Sequence, residues 1–446
     1  MNPIAQELNQ IIKKENPHMF RLLSNLGKNL YFPKGLLTQG AEAKEKAHRI
    51  NATVGIATEQ GKTMHFPSIM DTIDGISPEA SLTYAPSYGI PALRKRWQEA
   101  LLEKNPSLAN QRISLPVVTS GITHAISIFA DIWVEPDDTV ILPDMTWGNY
   151  NMIFQVRRGA RFKQYSFFSE NGGLNLSAFE KTIQESSEKT DKLIVLLNFP
   201  HNPTGYMMTT VEGNHIAKTL TTAASQGTNI IAVCDDAYFG LFYEKESLKE
   251  SLFARLCNQH HRLLAVKLDG ATKENFVWGL RVGFITYGSK VAGDSSLVYD
   301  ALEKKTAGCI RGSISNASHL GQSIVLKSLQ DHRYHQEKEE KFAILKKRAE
   351  RVKTVLKDRR FKDAWDVYPF NSGYFMCIRL KTVDAEMLRQ HLLEKYGVGL
   401  ISLGKENLRI AFSCLDEDQI ADLFEIILKG IKELNSKNPR WKNAVN

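Results

Sequence analysis

Five short runs rich in Val, Ile and Leu, spaced through the middle of the chain, constrain its fold more than any other feature. They are DTVILP (138–143), KLIVLLNF (192–199), NIIAVCDD (229–236), LLAVKLDG (263–270) and VGFITYG (282–288). Runs this continuous in apolar residues are expected of strands covered on both faces. Stretches such as 207–226 and 241–260 separate them and are long enough for crossover helices. The alternation predicts an α/β domain with a doubly wound, mostly parallel sheet.

The pattern changes near Asp331. DHRYHQEKEEKFAILKKRAERVKTVLKDRR carries a charged face with Phe342, Leu345, Ala349, Val352 and Leu356 at helical spacing, which predicts an amphipathic helix joining two units. A smaller α+β unit follows and ends in the amphipathic stretch 415–435. With about 150 residues per domain as a guide, 446 residues divide into three parts. Residues 1–65 form an N-terminal segment serving the small domain or a dimer contact, 66–335 a large domain, and 336–446 the small C-terminal domain.

Composition narrows the function. With 43% hydrophobic and 24% charged residues, the chain is neither collagen-like nor disordered. A net charge of +8 spread over this length is too diffuse to argue for nucleic acid. Cys234, Cys257, Cys309, Cys377 and Cys414 form no CxxC pair, so we expect thiols of a reducing compartment and no metal site. MNPIAQELNQIIKKENPHMF has no export signal, and the uncharged stretches 113–130 and 193–211 are too polar to span a bilayer. A cytoplasmic protein with no membrane partner is expected.

Ligands of such sheets collect beyond the carboxyl ends of the strands. After LIVLL comes Asn198-Phe199-Pro200-His201-Asn202-Pro203-Thr204-Gly205; after IIAVC comes Asp235-Asp236-Ala237-Tyr238; after LLAVKL comes Asp269-Gly270-Ala271-Thr272-Lys273, with Arg281 eight residues on. A lysine shielded from water can lose its proton and act as nucleophile or base. A carboxylate can hold a heteroaromatic nitrogen protonated, and an arginine offers a planar fork to phosphate. Each residue alone is an ordinary strand-end or turn residue. Together, in order at three successive strand ends, they meet the protein-side requirement of pyridoxal phosphate chemistry.

These segments resemble the class I aminotransferases of the aspartate aminotransferase family, which have the fold type I of pyridoxal-phosphate enzymes. NFPHNPTG is similar to the family's Asn-Pro-Thr-Gly turn, DDAY to its Asp–Tyr pair, and ATKENFVWGLRVGF to its lysine segment. The resemblance implies that Lys273 carries the cofactor as a Schiff base, Asp235 pairs with the pyridine nitrogen, Asn202 and Tyr238 bond the ring oxygen, and Arg281 holds the phosphate. Gly121, Ile122 and Thr123, opening a helix near Ile122, would cradle the same phosphate. Trp147, in PDMTWGNY, would stack on the pyridine ring.

For substrate, the resemblance points to Arg409 as the grip on the α-carboxylate, to Val54-Gly55 as a closing segment and, through the serine–asparagine spacing of IRGSISN, to Arg311 as the reader of a distal carboxylate, with a surface arginine near a helix start as the alternative. Tyr84, with Gly89 five residues on, would reach a neighbouring subunit's phosphate, implying a homodimer with shared sites. Three positions depart from the pattern: Gly270 and Thr272 replace serines, and Tyr150 replaces the histidine behind the cofactor aspartate. The implied reaction is transamination between an L-amino acid, dicarboxylic or aromatic, and a 2-oxo acid. A β-lyase on the same fold and a cofactor-sensing regulator without enzymatic activity are the alternatives. Residues 1–50 leave the regulator little room for a DNA-binding module.

Overall fold

A computed structural model describes residues 1–32 and 35–437. Residues 33–34 of the expected N-terminal segment and 438–446 of the expected C-terminal domain lie outside the described residues. Seven strands form the large sheet: β1 (Val117–Thr119), β2 (Thr139–Pro143), β3 (Arg161–Tyr165), β4 (Lys192–Asn198), β5 (Asn229–Asp235), β6 (Leu263–Gly270) and β7 (Gly283–Ser289). Their order is β1-β7-β6-β5-β4-β2-β3. Strands β3, β2, β4, β5 and β6 run parallel, and β7 is antiparallel to both β6 and β1. The five apolar runs became five of these strands. Leu193 through Leu197 are all buried, as two covered faces require.

β3 was not anticipated. RFKQY has three exposed polar positions because it is the sheet's edge, where charge replaces the apolar run. The crossover helix expected at 207–226 is Thr210–Ser225, opened by a reciprocal cap between Thr209 and Glu212. The one expected at 241–260 is corrected: only Leu252–Leu256 is helical. Residues 244–251, EKESLKES, offer Leu248 as their sole apolar anchor. Their backbone bonds other loops instead, Tyr243 to Asn371 and Leu248 to Met208.

The four-stranded antiparallel sheet comprises β8 (Trp365–Val367), β9 (Phe375–Leu380), β10 (Ile401–Leu403) and β11 (Asn407–Ala411), ordered β8-β9-β11-β10. The amphipathic helix read from 331–360 is Tyr334–Val355, with Leu345, Ala349 and Val352 buried. Ile50–Asn51 pairs parallel with Val398–Gly399, and Ala411 donates to the Ala52 carbonyl at 2.9 Å. That bonding brings the segment around Thr53–Gly55 against β11. All five cysteines are unbridged, three buried and two partly so. Among the described residues no helix is long and apolar enough to cross a membrane.

Candidate active site

Parallel register sets Asn198 beside Asp235 and Asp235 beside Leu268, so the carboxyl ends of β4, β5 and β6 lie in a row. A cavity of about 700 Å³ opens there, between the large sheet, the small sheet and the N-terminal segment. Lys273, Asp235, Tyr238, Asn202 and Trp147 line one side; Arg409 and Phe375 line the other, with Gly55 between.

Asp235 ends β5 at 3% exposure. Tyr150 donates to its Oδ2 at 2.5 Å, and the Ala237 amide donates to Oδ1 at 3.2 Å. Burial raises the Asp235 pKa, and the bonds from Tyr150 and Ala237, with the Lys273 charge, oppose that rise. Burial and the Asp235 charge push Tyr150 well up, so the phenol stays a neutral donor. A phenol therefore does here what an imidazole could do, without adding a cation.

Lys273 sits in the single-turn helix Ala271–Glu274 that follows β6. Its ammonium lies 4.9 Å from the Tyr238 ring centroid, and Tyr374 donates to its carbonyl at 3.0 Å. Burial lowers its pKa to about 8, with Asp235 opposing and Arg281 adding to the shift. An amine so placed is available as nucleophile and base near neutral pH. Burial also raises Tyr238, against the pull of Arg409.

The turn before the lysine has no room at Gly270 for the serine of the family pattern. A Cβ on Gly270 would fall 2.7 Å from the Val282 carbonyl, so backbone occupies the space. Thr272 keeps a buried Oγ1 with no partner. Opposite, Gly121 (φ +79°) opens the helix Ile122–Trp133, and Ile122 and Thr123 line the cavity. The Arg281 guanidinium packs so closely that a Cβ at Gly121 would meet its Nη2 at 2.5 Å. Free amides at a helix start beside a guanidinium make a corner for a dianion.

The turn 198–205 is held from below. Asn198 Oδ1 accepts from the Asn202 amide at 2.8 Å, and Asn198 Nδ2 donates to the Asp235 carbonyl at 3.0 Å. Buried His201 bonds Thr204 and the Met145 carbonyl, and burial lowers its pKa to about 3. It stays neutral and fixes the turn that presents Asn202.

Arg409 on β11 is 5% exposed. It donates to the Thr53 carbonyl at 2.9 Å and to Asn202 Oδ1 at 3.4 Å, and its guanidinium carbon lies 4.1 Å from the Phe375 centroid. Its Nε is buried with no partner, and no described carboxylate pairs with it. A buried guanidinium on a cavity wall with no carboxylate partner among the described residues is suited to a carboxylate ligand.

Four expected residues are not on the cavity wall: Gly121 and Arg281 stand just behind Ile122 and Thr123, and two others lie elsewhere. Arg311 is exposed in the last turn of the helix Ser295–Ser313, not at a helix start, and donates to Ser315 at 2.7 Å. It does not line this chain's cavity. The Ser-Asn spacing that pointed to it is satisfied locally by that helix end. Tyr84 is 90% exposed and also outside the cavity wall. Wall residues that went unassigned include Asn198, Thr53, Phe375 and Lys44. Asn198 stood in the quoted motif and needed only its strand-end position; nothing local marked Lys44, on the helix Leu36–Lys46.

The residues fit a flat, anionic, carbonyl-bearing cofactor. One amine of lowered pKa, one buried carboxylate, the helix start at Ile122 and Thr123 with Arg281 behind it, and the Trp147 indole meet at a cavity where Arg409 has no carboxylate partner among the described residues. Comparison with known proteins agrees with that chemistry. Residues 50–427 match the family model for aminotransferase class I and II. Aspartate aminotransferase of Sulfurisphaera tokodaii is 23% identical over 366 residues, covering 79% of this chain and 81% of that one. The cytoplasmic aspartate aminotransferase of Caenorhabditis elegans is 23% identical, with 81% and 86% covered. A crystal structure of an aminotransferase from Anaerococcus prevotii superposes with a TM-score of 0.79 at 25% identity, covering 90% and 96%. The chain belongs to the class I and II aminotransferases and is a transferase enzyme.

Proposed function

We propose that this protein is a pyridoxal-phosphate-dependent aminotransferase that moves an amino group from an L-amino acid to a 2-oxo acid, with Lys273 as the covalent anchor. The observation that carries it is the pairing, in one cavity, of a lysine whose pKa is lowered to about 8 with the buried, Tyr150-bonded Asp235. When bound, the cofactor supplies an electron-withdrawing ring conjugated to the substrate Cα. The chain supplies the rest. Asp235 would hold a proton on the ring nitrogen, and the Tyr150 hydroxyl favours the charged form of that carboxylate against its burial. Asn202 and Tyr238 donate to the ring oxygen, and Trp147 covers one ring face. Gly121, Ile122, Thr123 and Arg281 receive the phosphate.

Lys273, as the free amine, would take the proton from the substrate Cα and deliver it to the cofactor's carbonyl-derived carbon, across the intervening nitrogen. Its lowered pKa leaves a useful fraction of neutral amine near pH 7 to 8. Arg409 grips the α-carboxylate from the cavity wall, and Gly55 leaves room beside Tyr238 and Phe375 for the substrate. Lys44 is the one further cation on the described wall, and we assign it the side-chain carboxylate of a dicarboxylic substrate in place of Arg311. Tyr84 at 90% exposure, beside Leu82 at 82%, supports a homodimer in which Tyr84 reaches the partner's phosphate corner. Domain limits at 66–335 and 336–446 and a cytoplasmic location belong to the same reading.

The test is a half-reaction. Holoenzyme with one amino acid and no 2-oxo acid should release one equivalent of 2-oxo acid per site and stop. Continuous release of 2-oxo acid and ammonia would contradict this and assign elimination.

A further inference from the structure

Both residues central to the site are followed directly by a buried acid. Asp235 precedes Asp236, 4% exposed, and Lys273 precedes Glu274, 5% exposed. Register puts Cys234 beside Lys267, so Asp236 and Lys267 share the sheet face opposite Asp235. Lys267, 1% exposed, is ion-paired with Asp236 and lies 3.3 Å from Asp269; Ser251 donates to Asp236 at 2.6 Å. Trp97 donates its indole N–H to Asp269 at 3.2 Å. Lys104 lies 4.8 Å from the Trp97 ring centroid and bonds Glu274 at 3.0 Å. Lys338, from the long helix Tyr334–Val355, bonds the same carboxylate at 2.5 Å.

The network is closed and neutral: Lys104, Lys267 and Lys338 against Asp236, Asp269 and Glu274. It consists of two ion clusters, one on the residue after Lys273 and one on the residue after Asp235, joined through the Trp97 indole. Stability is a poor reason for it, since buried ion pairs are commonly replaced by apolar residues at no loss. What such a network does supply is a fixed geometry, because moving any member strands a buried charge. The catalytic mechanism proposed above makes no use of these six side chains.

We propose that this six-ion network is a positioning device, in which Glu274 and Asp236 fix the backbones of Lys273 and Asp235 relative to each other. The proposal rests on the aminotransferase reading. Lys104 and Lys338 pin the single turn that carries Lys273 from two different helices. Lys267 pins the end of β5 through Asp236, and Trp97 with Asp269 ties the two halves. Functional groups held in this way gain from supporting contacts because small misplacements slow the chemistry steeply.

The test uses full-length protein loaded with pyridoxal phosphate. Glu274→Gln is expected to slow covalent capture of the cofactor by the apo chain by about tenfold, read from the visible absorbance of the lysine-bound form. It should also slow the single-turnover half-reaction by about tenfold while the apparent amino-acid Kd stays within about twofold. Lys338→Met, which leaves Lys104 on the carboxylate, is expected to slow both by about threefold, and Lys338→Arg to restore both. It also serves if Glu274→Gln does not fold. Variants that melt earlier but keep both rates within about twofold of wild type, measured well below melting, would overturn the proposal alone. A wild-type chain that captures no cofactor overturns the aminotransferase reading and this inference together.

Discussion

The two walls of the cavity are built on opposite terms. On the large-sheet side most polar groups are matched, Thr272 Oγ1 apart: Tyr150 serves Asp235, Asn198 serves Asn202, and His201 is spent on Thr204 and Met145. On the small-sheet and N-terminal side, Arg409 keeps an idle buried Nε and Lys44 has no ion pair among the described residues. A matched wall holds a permanent occupant in one pose, whereas an unmatched wall waits for something that arrives and leaves. The cofactor therefore belongs to the first wall and the exchanged amino acid to the second.

Breaking the first wall should cost most. Lys273→Ala is expected to abolish turnover, a loss of at least about 10⁴-fold, and to leave no covalently held chromophore after dialysis. Asp235→Asn should follow at about 10²- to 10³-fold in kcat, because the amide cannot hold a proton on the ring nitrogen. Single-turnover rates check both. On the second wall, Arg409→Ala should cost about 10²-fold in kcat/KM, carried mainly by KM, since it loses a charge-assisted grip and not the chemistry.

Smaller effects sharpen the contrast. Tyr150→Phe removes one donor from a buried carboxylate whose pKa burial already raises. That variant should raise the Asp235 pKa further, moving the acid limb of the rate profile to higher pH and lowering kcat by about tenfold. Lys44→Met should lower kcat/KM several-fold for dicarboxylic amino acids and leave monocarboxylic ones unchanged, since an exposed lysine contributes about 1 kcal/mol or less. Equal effects on both substrate sets would remove Lys44 from the reading.

The first wall was the legible one. Its residues fall at the ends of strands whose apolar runs mark them, so Asn202, Asp235, Tyr238 and Lys273 were readable, and β4 to β7 with them. The edge strand β3 was not, because RFKQY carries the polar pattern of a solvated edge. Arg409 was reached only by resemblance, and Lys44 not at all. Nothing in 36–46 announces that Ile50–Asn51 pairs with Val398–Gly399 and draws that segment to the cavity. Arg311 shows the opposite case. A short local match suggested a site, but the helix end that contains it uses the arginine to bond Ser315. Residues placed by local strand grammar could be read; residues delivered by distant pairing could not.

The central claim is a covalent bond at one nitrogen. Holoprotein reduced with borohydride, digested and mapped by mass spectrometry should carry the reduced cofactor on the peptide containing Lys273, in about one copy per chain, with capture by the apo chain accelerating as pH rises through about 8. A label on any other lysine, or none on a protein that still turns over, would contradict the account.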